Sequence, residues 1–331
     1  MEPRLTVEQR ATGALVGSAY GDSLGAPVEF MHLAQIQAMY GPDGIQDLDE
    51  AFGRRGNITD DTQMAIATSE GLLATAAAPK YSPTMLRDTI WQAYKRWYVS
   101  QSNEVMQRAP GNTCMSALSR MIPGSFEKPL NGSAGCGAIM RSHPIGVAIE
   151  DPERAFSIGA LSGVLTHGHE NAYVPAGFLS ALTTQLLTGV ALENAVQDTL
   201  DITQNITQTA GEETYQVVSD ALLVAQLDYD PGNIDAFIPG TGGWLGHDAL
   251  AISVYAATVA DAEPIESVRI SVNHSGDSDS TGAITGAIVG SIHGVEPFND
   301  KLAQEDVWLE ERPYLDYLAA GLAAMRGGVN G

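Results

Sequence analysis

Apolar residues along most of the chain recur every third or fourth position, and alternating apolar and polar runs are scarce. This spacing is typical of amphipathic helices, and the abundance of Ala, Leu, Gln and Met agrees with it. The pattern predicts helices over roughly 7–21, 60–77, 84–99, 112–121, 152–166, 171–189, 191–206, 212–227, 247–260, 280–293 and 313–326. Ser82 and Asp151 each precede a proline and are the expected N-caps of two of these helices. No shift in composition marks a linker, so we expect one all-α domain over residues 1–331.

Two predicted helices carry a stripe of glycines at every fourth position. The glycines are Gly13, Gly17 and Gly21 in the first helix, and Gly282, Gly286, Gly290 and Gly294 in the helix after Ser280. Each glycine weakens an isolated helix by roughly 1 kcal/mol relative to alanine. Close approach of another helix along the stripe would offset that loss, so both helices are predicted to be buried.

The net charge of the chain argues against some classes of binding partner. Its 331 residues include 40 acids and only 17 bases, for a net charge of −23. Such a surface argues against binding a nucleic-acid backbone or an anionic membrane. It does not exclude a small anionic ligand, because a ring of backbone N–H groups or a metal can reverse the local field. The N-terminus lacks a signal-peptide pattern, and no apolar run approaches the roughly 18 residues of a membrane span. With Cys114 and Cys136 as its two cysteines, the chain is expected in the cytoplasm.

Acidic residues cluster at the predicted starts of two apolar, small-residue helices. The stretch "NITDDTQMA" places Asp60 and Asp61 after Thr59, and the stretch "GDSDST" alternates Asp277 and Asp279 with hydroxyl residues. Acids at a helix N-terminus are often caps, because the first turn has free N–H groups and a partial positive charge. A cap needs one acid, however, and each cluster supplies two.

Burial favours a second interpretation of these clusters. Their helices must enter the core, and buried unpaired carboxylates are very costly. Few lysines or arginines lie nearby in the sequence, so the acids either take up protons or bind cations. Carboxylate and hydroxyl oxygens suit Mg²⁺, Mn²⁺ or Ca²⁺ rather than Zn²⁺. Four aspartates could offset two such ions, and paired metals commonly activate water and hold a substrate oxygen.

A third acidic element follows the first glycine-striped helix. In "GSAYGDSLGAPVEF", Asp22 and Glu29 are predicted to lie in a tight turn that contains Gly21, Gly25 and Pro27. Glu29 stands between Val28 and Phe30, an unusual setting for a merely solvated charge.

These elements occur in the order found in the ADP-ribosylglycohydrolase family, the family that contains dinitrogenase-reductase-activating glycohydrolase, and the chain resembles that family. The matching stretches are "GALVGSAYGDSLGAPVEF", "GNITDDTQMA", "APGNTCMSAL", "NGSAGCGAIMRSHPIG", "LTHGHENAYVPAGFLSAL", "GGWLGHDALA" and "NHSGDSDSTGAITGAIVG". They run from residue 13 to about residue 290.

The resemblance implies a single-domain, all-α orthogonal helical bundle with a cleft that holds two Mg²⁺ or Mn²⁺ ions. It gives metal-ligand roles to Thr59, Asp60, Asp61, Asp277, Asp279 and Ser280. The family usually has Thr at the position of Ser280, so Thr281 is the alternative hydroxyl ligand. Glu29 matches an acid that some members use near the metals and the scissile ribose, and Asp61 is the second candidate base.

The resemblance also implies a set of residues that contact ADP-ribose. They are Gly111, Asn112, Thr113, Ser133, Gly135, Cys136 and His167. The Gly-rich stretch around Ser133 is expected to wrap the diphosphate with backbone N–H groups. Two departures stand out. An Asp-Ile-Gly segment present in some arginine-specific relatives is missing, with Glu104 the only acid in that region, and an aromatic residue that some members use against the ligand is Ala134 here.

The implied reaction is hydrolysis of the C1″ glycosidic bond between ADP-ribose and a modified protein side chain, with ADP-ribosyl-arginine the first expectation. Another ADP-ribose linkage is the alternative: serine-linked, O-acyl-ADP-ribose or a nucleic-acid end. A non-catalytic relative that binds ADP-ribose or has a structural role is a further alternative, and an immunity role against a toxin's ADP-ribosylation is a physiological one.

Overall fold

The computed structural model describes residues 5–76, 81–227, 234–237 and 242–326. The helices of the first half are α1 (Val7–Gly25), α2 (Leu33–Tyr40), α3 (Asp60–Leu73), α4 (Pro83–Ser100), α5 (Asn112–Ser119), α6 (His143–Ala148), α7 (Pro152–Val164) and α8 (Glu170–Leu186). Those of the second half are α9 (Leu192–Thr207), α10 (Glu212–Ala225), α11 (Ile234–Phe237), α12 (Gly246–Val259), α13 (Pro264–Val272), α14 (Ser278–His293), α15 (Glu296–Glu305) and α16 (Arg312–Arg326).

Shorter elements connect these helices. Turns of 3-10 helix cover Ala26–Val28, Glu104–Met106, Cys136–Ala138 and Gln208–Gly211, and Glu50–Ala51 pairs antiparallel with Arg54–Arg55. The prediction of an all-α fold is therefore confirmed. None of the helices in the described ranges combines the length and the apolar run that crossing a bilayer requires.

Every helix predicted from the sequence is present, with ends that differ by a few residues. Helix α1 continues past its predicted end to Gly25, so Asp22 lies within a helix and not in the predicted turn. Helix α3 ends at Leu73, before its predicted end at residue 77, which lies outside the described residues. Ser82 and Asp151 cap α4 and α7 as predicted, because their side chains accept hydrogen bonds from backbone N–H groups of those helices.

The centre of the fold is the antiparallel pair α1 and α14, which meet along their glycine stripes. A Cβ built on Gly17 would lie 2.3 Å from the carbonyl oxygen of Gly286, and one on Gly21 would lie 2.0 Å from that of Gly282. Distances this short leave no room for a methyl group, so the two backbones are in direct contact. The predicted role of the stripes in helix packing is confirmed.

The glycine contact continues to the end of α1, where it fixes the start of α14. A Cβ on Gly25 would lie 2.3 Å from the carbonyl oxygen of Ser278. Helices α3, α6, α13, α15 and α16 pack around α1, while α8, α12 and α13 pack around α14. One large apolar core surrounds the pair, and a smaller cluster lies beneath α10, α12 and α13. The acidic start of α14 is thereby placed inside the protein.

Candidate active site

The acidic start of α3 is buried and is held from behind by a carboxylate of α1. Asp60 and Asp61 are 4% and 3% exposed. The Asp22 side chain accepts hydrogen bonds from the backbone N–H groups of Thr59 (3.0 Å) and Thr62 (3.1 Å) and from the Thr62 hydroxyl. Asp22 therefore satisfies free N–H groups at the start of α3, which leaves Asp60 and Asp61 available for another purpose.

The caps of α3 and α14 involve the predicted ligands themselves. Thr59 accepts a hydrogen bond from the Asp61 N–H group at 3.2 Å, and its hydroxyl lies 3.4 Å from an Asp61 carboxylate oxygen. At α14, the Asp277 carboxylate accepts from the Ser280 N–H group at 3.3 Å. The Cys136 thiol donates to the other Asp277 oxygen at 3.0 Å. Each cluster thus caps its own helix, as the simpler interpretation requires.

Capping does not use all of the carboxylates, however. One oxygen each of Glu29, Asp277 and Asp279 lie within 4.8 Å of one another, although Glu29 follows α1 and the aspartates begin α14. The Oδ1 atom of Asp61 is buried and has no hydrogen-bond partner among the described residues. Carboxylates that follow α1 and begin α14 therefore converge, and one buried oxygen of α3 lacks a partner within the described ranges.

The acidic groups strongly perturb one another. Burial, followed by the charges of Asp277 and Asp60, raises the pKa of Glu29 to about 9. Burial raises the pKa of Asp60 to about 8, and the N–H group of Gly111, which donates to its Oδ2 atom at 3.1 Å, opposes that rise. Burial and neighbouring acids also raise the pKa of Asp61 and of Asp279 well above the ordinary value. Without a cation, several of these groups would hold protons at neutral pH.

The donor set fits a hard divalent cation. The three converging side chains are carboxylates, the Ser280 hydroxyl residue lies on the same cleft wall, and no lysine or arginine lines the cleft in the described part of the chain. Oxygen-only sites of this type suit Mg²⁺, Mn²⁺ or Ca²⁺. The partnerless Asp61 oxygen and the raised pKa values are both features that a bound cation would relieve. The residues therefore fit a metal centre.

A cleft of about 460 Å³ opens above the carboxylates. Its wall includes most of the residues predicted for the metals, catalysis and the substrate: Glu29, Asp60, Asp61, Gly111, Asn112, Thr113, Gly135, Cys136, His167, Asp277 and Ser280. Thr59 and Asp279 are buried behind this wall. Ser133 is half-buried next to the wall, with its hydroxyl 3.0 Å from that of Thr113.

Hydrogen bonding separates the two candidate hydroxyl ligands. The Thr281 hydroxyl donates to backbone carbonyls of its own helix turn and of Ser271, the latter at 2.7 Å, and lies 2.9 Å from His274 Nε2. Ser280 instead lies on the cleft wall. Its hydroxyl oxygen is 3.7 Å from the sulfur of Cys136 and 3.9 Å from the sulfur of Met140, so these contacts are weak. This geometry favours Ser280, and Thr281 has a structural role.

Three backbone N–H groups of the Gly-rich loop form hydrogen bonds within the protein. The N–H groups of Ser133, Gly135 and Cys136 donate to Asn131 Oδ1, Ser133 Oγ and the Trp244 carbonyl oxygen. The resemblance implies that these three residues contact the diphosphate, and each of their N–H groups has an acceptor within the protein. The loop is also paired to residue 245 through an isolated β-bridge, which fixes its position beside the cleft.

Sequence analysis missed several features around the cleft. The acidic character of Asp22 was visible, but its role as the anchor of α3 was not. Phe30 and Trp244 stack with ring centroids 5.0 Å apart at the cleft wall and are 59% and 40% exposed. Phe30 has a left-handed φ of 66°, which is uncommon for a bulky residue. Their wide separation along the chain gave no local signal of contact.

Comparisons with known proteins identify the family of the chain. The family model described as ADP-ribosylglycohydrolase matches residues 3–328. The chain is 27% identical to "ADP-ribosyl-[dinitrogen reductase] glycohydrolase" of Rhodospirillum rubrum, over 88% of each chain. It is 25% identical to "ADP-ribosylarginine hydrolase Tri1" of Serratia proteamaculans, over 90% of this chain and 76% of that one.

The fold has a counterpart among solved structures. A chain titled "ADP-ribosylglycohydrolase-related protein complex" superposes with a TM-score of 0.72, at 24% identity, over 96% of this chain and 98% of that chain. The likeness supports the all-α architecture, and the family match extends over nearly the whole sequence. This protein is therefore a member of the ADP-ribosylglycohydrolase family, and accordingly a hydrolase of glycosidic bonds.

Proposed function

We propose that the protein is a metal-dependent hydrolase that removes ADP-ribose from a modified arginine side chain by cleaving the bond at C1″. The observation that carries this proposal is the convergence of Glu29, Asp277 and Asp279 within 4.8 Å, at a cleft that Asp60 and Asp61 also line. Such a cluster suits a reaction in which positive charge develops on a sugar ring.

The proposed metal centre comprises Thr59, Asp60, Asp61, Asp277, Asp279 and Ser280, and two Mg²⁺ or Mn²⁺ ions are the proposed occupants. When bound, such ions supply Lewis acidity toward ribose hydroxyls and water. Asp22 and the Gly111 N–H group orient the ligands of α3, and the Cys136 thiol orients Asp277. The protein's own contribution is thus a set of oxygens fixed before substrate arrives.

Glu29 is the proposed proton acceptor. It lies at the cleft wall, and its pKa of about 9 reflects burial next to other acids. Cations bound to its neighbours would favour its ionised form, so the residue could accept a proton from a ribose hydroxyl or from water. Asp61 remains the second candidate, with its partnerless oxygen as the supporting feature.

Two observations support an arginine linkage over the alternatives. One relative has the name ADP-ribosylarginine hydrolase and aligns with 90% of this chain. The cleft wall is acidic and carries no lysine or arginine in the described ranges, which suits a leaving group derived from a guanidinium. Glu104 is exposed in the turn Glu104–Met106, so its carboxylate does not replace the missing Asp-Ile-Gly acid within the cleft.

The test is hydrolysis of defined linkages. Arginine-linked and serine-linked ADP-ribosylated proteins, O-acyl-ADP-ribose and an ADP-ribosylated oligonucleotide end are incubated with the protein plus Mg²⁺, Mn²⁺ or a chelator. We expect release of ADP-ribose from the arginine-linked protein that stops when the chelator is added. Faster release from another linkage would reassign the substrate, and full activity in the chelator would refute the metal centre.

A further inference from the structure

His167 reaches the cleft with one ring edge while its other edge is held by the protein. The side chain is 2% exposed and lies on the cleft wall. A Cβ built on Gly137 would lie 3.2 Å from His167 Nε2, and one on Gly135 would lie 3.6 Å from it. The Nε2 edge therefore faces the Gly-rich loop. In that loop the N–H groups of Ser133, Gly135 and Cys136 already have acceptors.

Behind His167 lies a chain of two hydrogen bonds. The Nδ1 atom of His167 is 2.8 Å from the Thr166 hydroxyl oxygen, and that oxygen is 2.6 Å from Nη2 of Arg141. Arg141 is fully buried, and its Cζ atom lies over the Tyr94 ring at 4.3 Å from the ring centroid.

The direction of these hydrogen bonds follows from the chemistry of arginine. A guanidinium has N–H donors and no acceptor, so the Thr166 oxygen must accept from Arg141. The Thr166 hydrogen then has two choices. Either it is donated to His167 Nδ1, or Nδ1 carries the proton and donates to Thr166, whose own hydrogen is left without an acceptor in the described part of the chain.

The second arrangement leaves a buried hydroxyl donor unsatisfied, at a cost of about 1–3 kcal/mol. The first gives the Thr166 hydroxyl an acceptor, so Nδ1 is an acceptor and the ring proton is on Nε2. Burial, followed by the charge of Arg141, also lowers the pKa of His167 to about 3. The ring is therefore neutral at physiological pH, and its one N–H group points toward the cleft.

We propose that Arg141 and Thr166 are positioning residues that hold His167 in the Nε2–H tautomer, so that it donates a hydrogen bond to a phosphate or hydroxyl oxygen of the ADP-ribosyl group. This inference rests on the proposed function for the identity of the ligand, but the tautomer is a property of the protein alone. The Nε2–H group would act beside the Gly-rich loop, in which the N–H groups of Ser133, Gly135 and Cys136 are engaged within the protein.

The first test is ¹⁵N NMR of the histidine rings in full-length protein without substrate. Wild type is expected to show a single His167 tautomer protonated at Nε2, and the isosteric Thr166→Val variant a mixture of both neutral tautomers. Thr166→Ser, which keeps the hydroxyl, is expected to restore the wild-type spectrum. Thr183→Val is the matched control, because the Thr183 hydroxyl is buried and has no hydrogen-bond partner in the part of the chain that the structure describes.

The second test is kinetic. We expect Thr166→Val to raise KM for the ADP-ribosylated substrate about tenfold, with a smaller change in kcat, and Thr166→Ser and Thr183→Val to leave both values near wild type. The tenfold effect corresponds to one hydrogen bond of about 1.4 kcal/mol. Thermal unfolding of each variant checks that the comparison is made between folded proteins.

Two results would overturn the inference: a wild-type spectrum with the proton on Nδ1, or a Thr166→Val spectrum identical to wild type. Failure of the proposed function is a different result. In that case the spectra follow expectation, while no linkage is hydrolysed by any of the four proteins.

Discussion

The N-termini of α7 and α14 begin with the same local signal and have different fates. At α7, Asp151 is exposed and accepts a hydrogen bond from the Arg154 N–H group at 2.7 Å. At α14, Asp277 caps in the same way but is 5% exposed and lies beside Glu29 and Asp279. One cap faces water, and the other is part of an acidic cleft.

The difference shows that capping explains one carboxylate at each helix start and no more. At the surface, a single acid satisfies the first turn and its charge is solvated. In the interior, the additional acids have raised pKa values and an oxygen without a partner. Excess acidity at a buried helix start is therefore the observation that separates a functional site from a cap.

The largest expected effect comes from neutralising the buried cap alone. Asp277→Asn keeps an oxygen that can accept from Ser280 but removes the negative charge, so we expect kcat/KM for ADP-ribose release to fall about 10³-fold. Asp151→Asn makes the same chemical change at α7 and is expected to retain wild-type activity. An Asp277→Asn enzyme with undiminished turnover would show that the charge at α14 has no catalytic role.

The second expected effect is a dependence of folding stability on pH that arises from the acids of the cleft. Glu29 and Asp60 have folded pKa values of about 9 and 8, above their ordinary values of 4.5 and 3.8. Folding therefore takes up protons when no cation is present. The stability these groups contribute is complete below about pH 4 and is lost as the pH rises through 8 and 9.

We accordingly expect metal-free protein to lose at least about 3 kcal/mol of unfolding free energy between pH 5 and pH 9. A tenfold change in proton affinity between the folded and unfolded states corresponds to about 1.4 kcal/mol. Mn²⁺ or Mg²⁺ should reduce that loss, because bound cations favour the ionised acids. Urea unfolding at pH 5, 7 and 9, with and without EDTA, measures both slopes. Equal slopes under the two conditions would argue against cation binding.

The third prediction concerns the buried anchor of α3. Asp22→Ala leaves the N–H groups of Thr59 and Thr62 and the Thr62 hydroxyl without their acceptor. We expect a loss of about 3 kcal/mol in unfolding free energy. Asp151→Ala removes a solvated cap at α7 and should cost about 1 kcal/mol. If urea unfolding gives the two variants the same small loss, Asp22 does not support α3 as described.

The smallest expected effect separates the adjacent hydroxyls of α14. Ser280→Ala should weaken Mn²⁺ binding about tenfold with little change in stability. Thr281→Val should leave Mn²⁺ binding unchanged and destabilise the fold by about 1 kcal/mol, because its hydroxyl bonds backbone carbonyls and His274. Calorimetric titration and urea unfolding of both variants test the assignment, which the reverse pattern would contradict.

Much of this architecture could be predicted from the sequence, because long helices carry their signal locally. The glycine stripes of α1 and α14 and the caps at Ser82 and Asp151 depend on residues a few positions apart. Helices α2, α6, α11, α13 and α15 were missed. They are only four to ten residues long, so each presents too few turns for a periodic pattern to stand out.

The site could be predicted where its residues match the motifs of a known family. The contacts outside those motifs could not. The acid clusters were visible, but the anchoring by Asp22 depends on a helix that continues further than its pattern indicated. The stacking of Phe30 on Trp244 and the hydrogen bonds from Arg141 to Thr166 are contacts between distant segments. Such contacts depend on tertiary structure, which propensity and periodicity do not encode.

Because α1 and α14 are in direct backbone contact, the position of the acids at the start of α14 depends on glycines far from the cleft. Gly290 lies twelve residues after Ser278, which is about 18 Å along a helix. A Cβ added to Gly290 would lie 2.0 Å from the carbonyl oxygen of Gly13, so the two helices would have to move apart to accommodate it. The stripe glycines of α1 and α14 touch no substrate, yet they tolerate little substitution, because the absence of their side chains sets the alignment of the two helices.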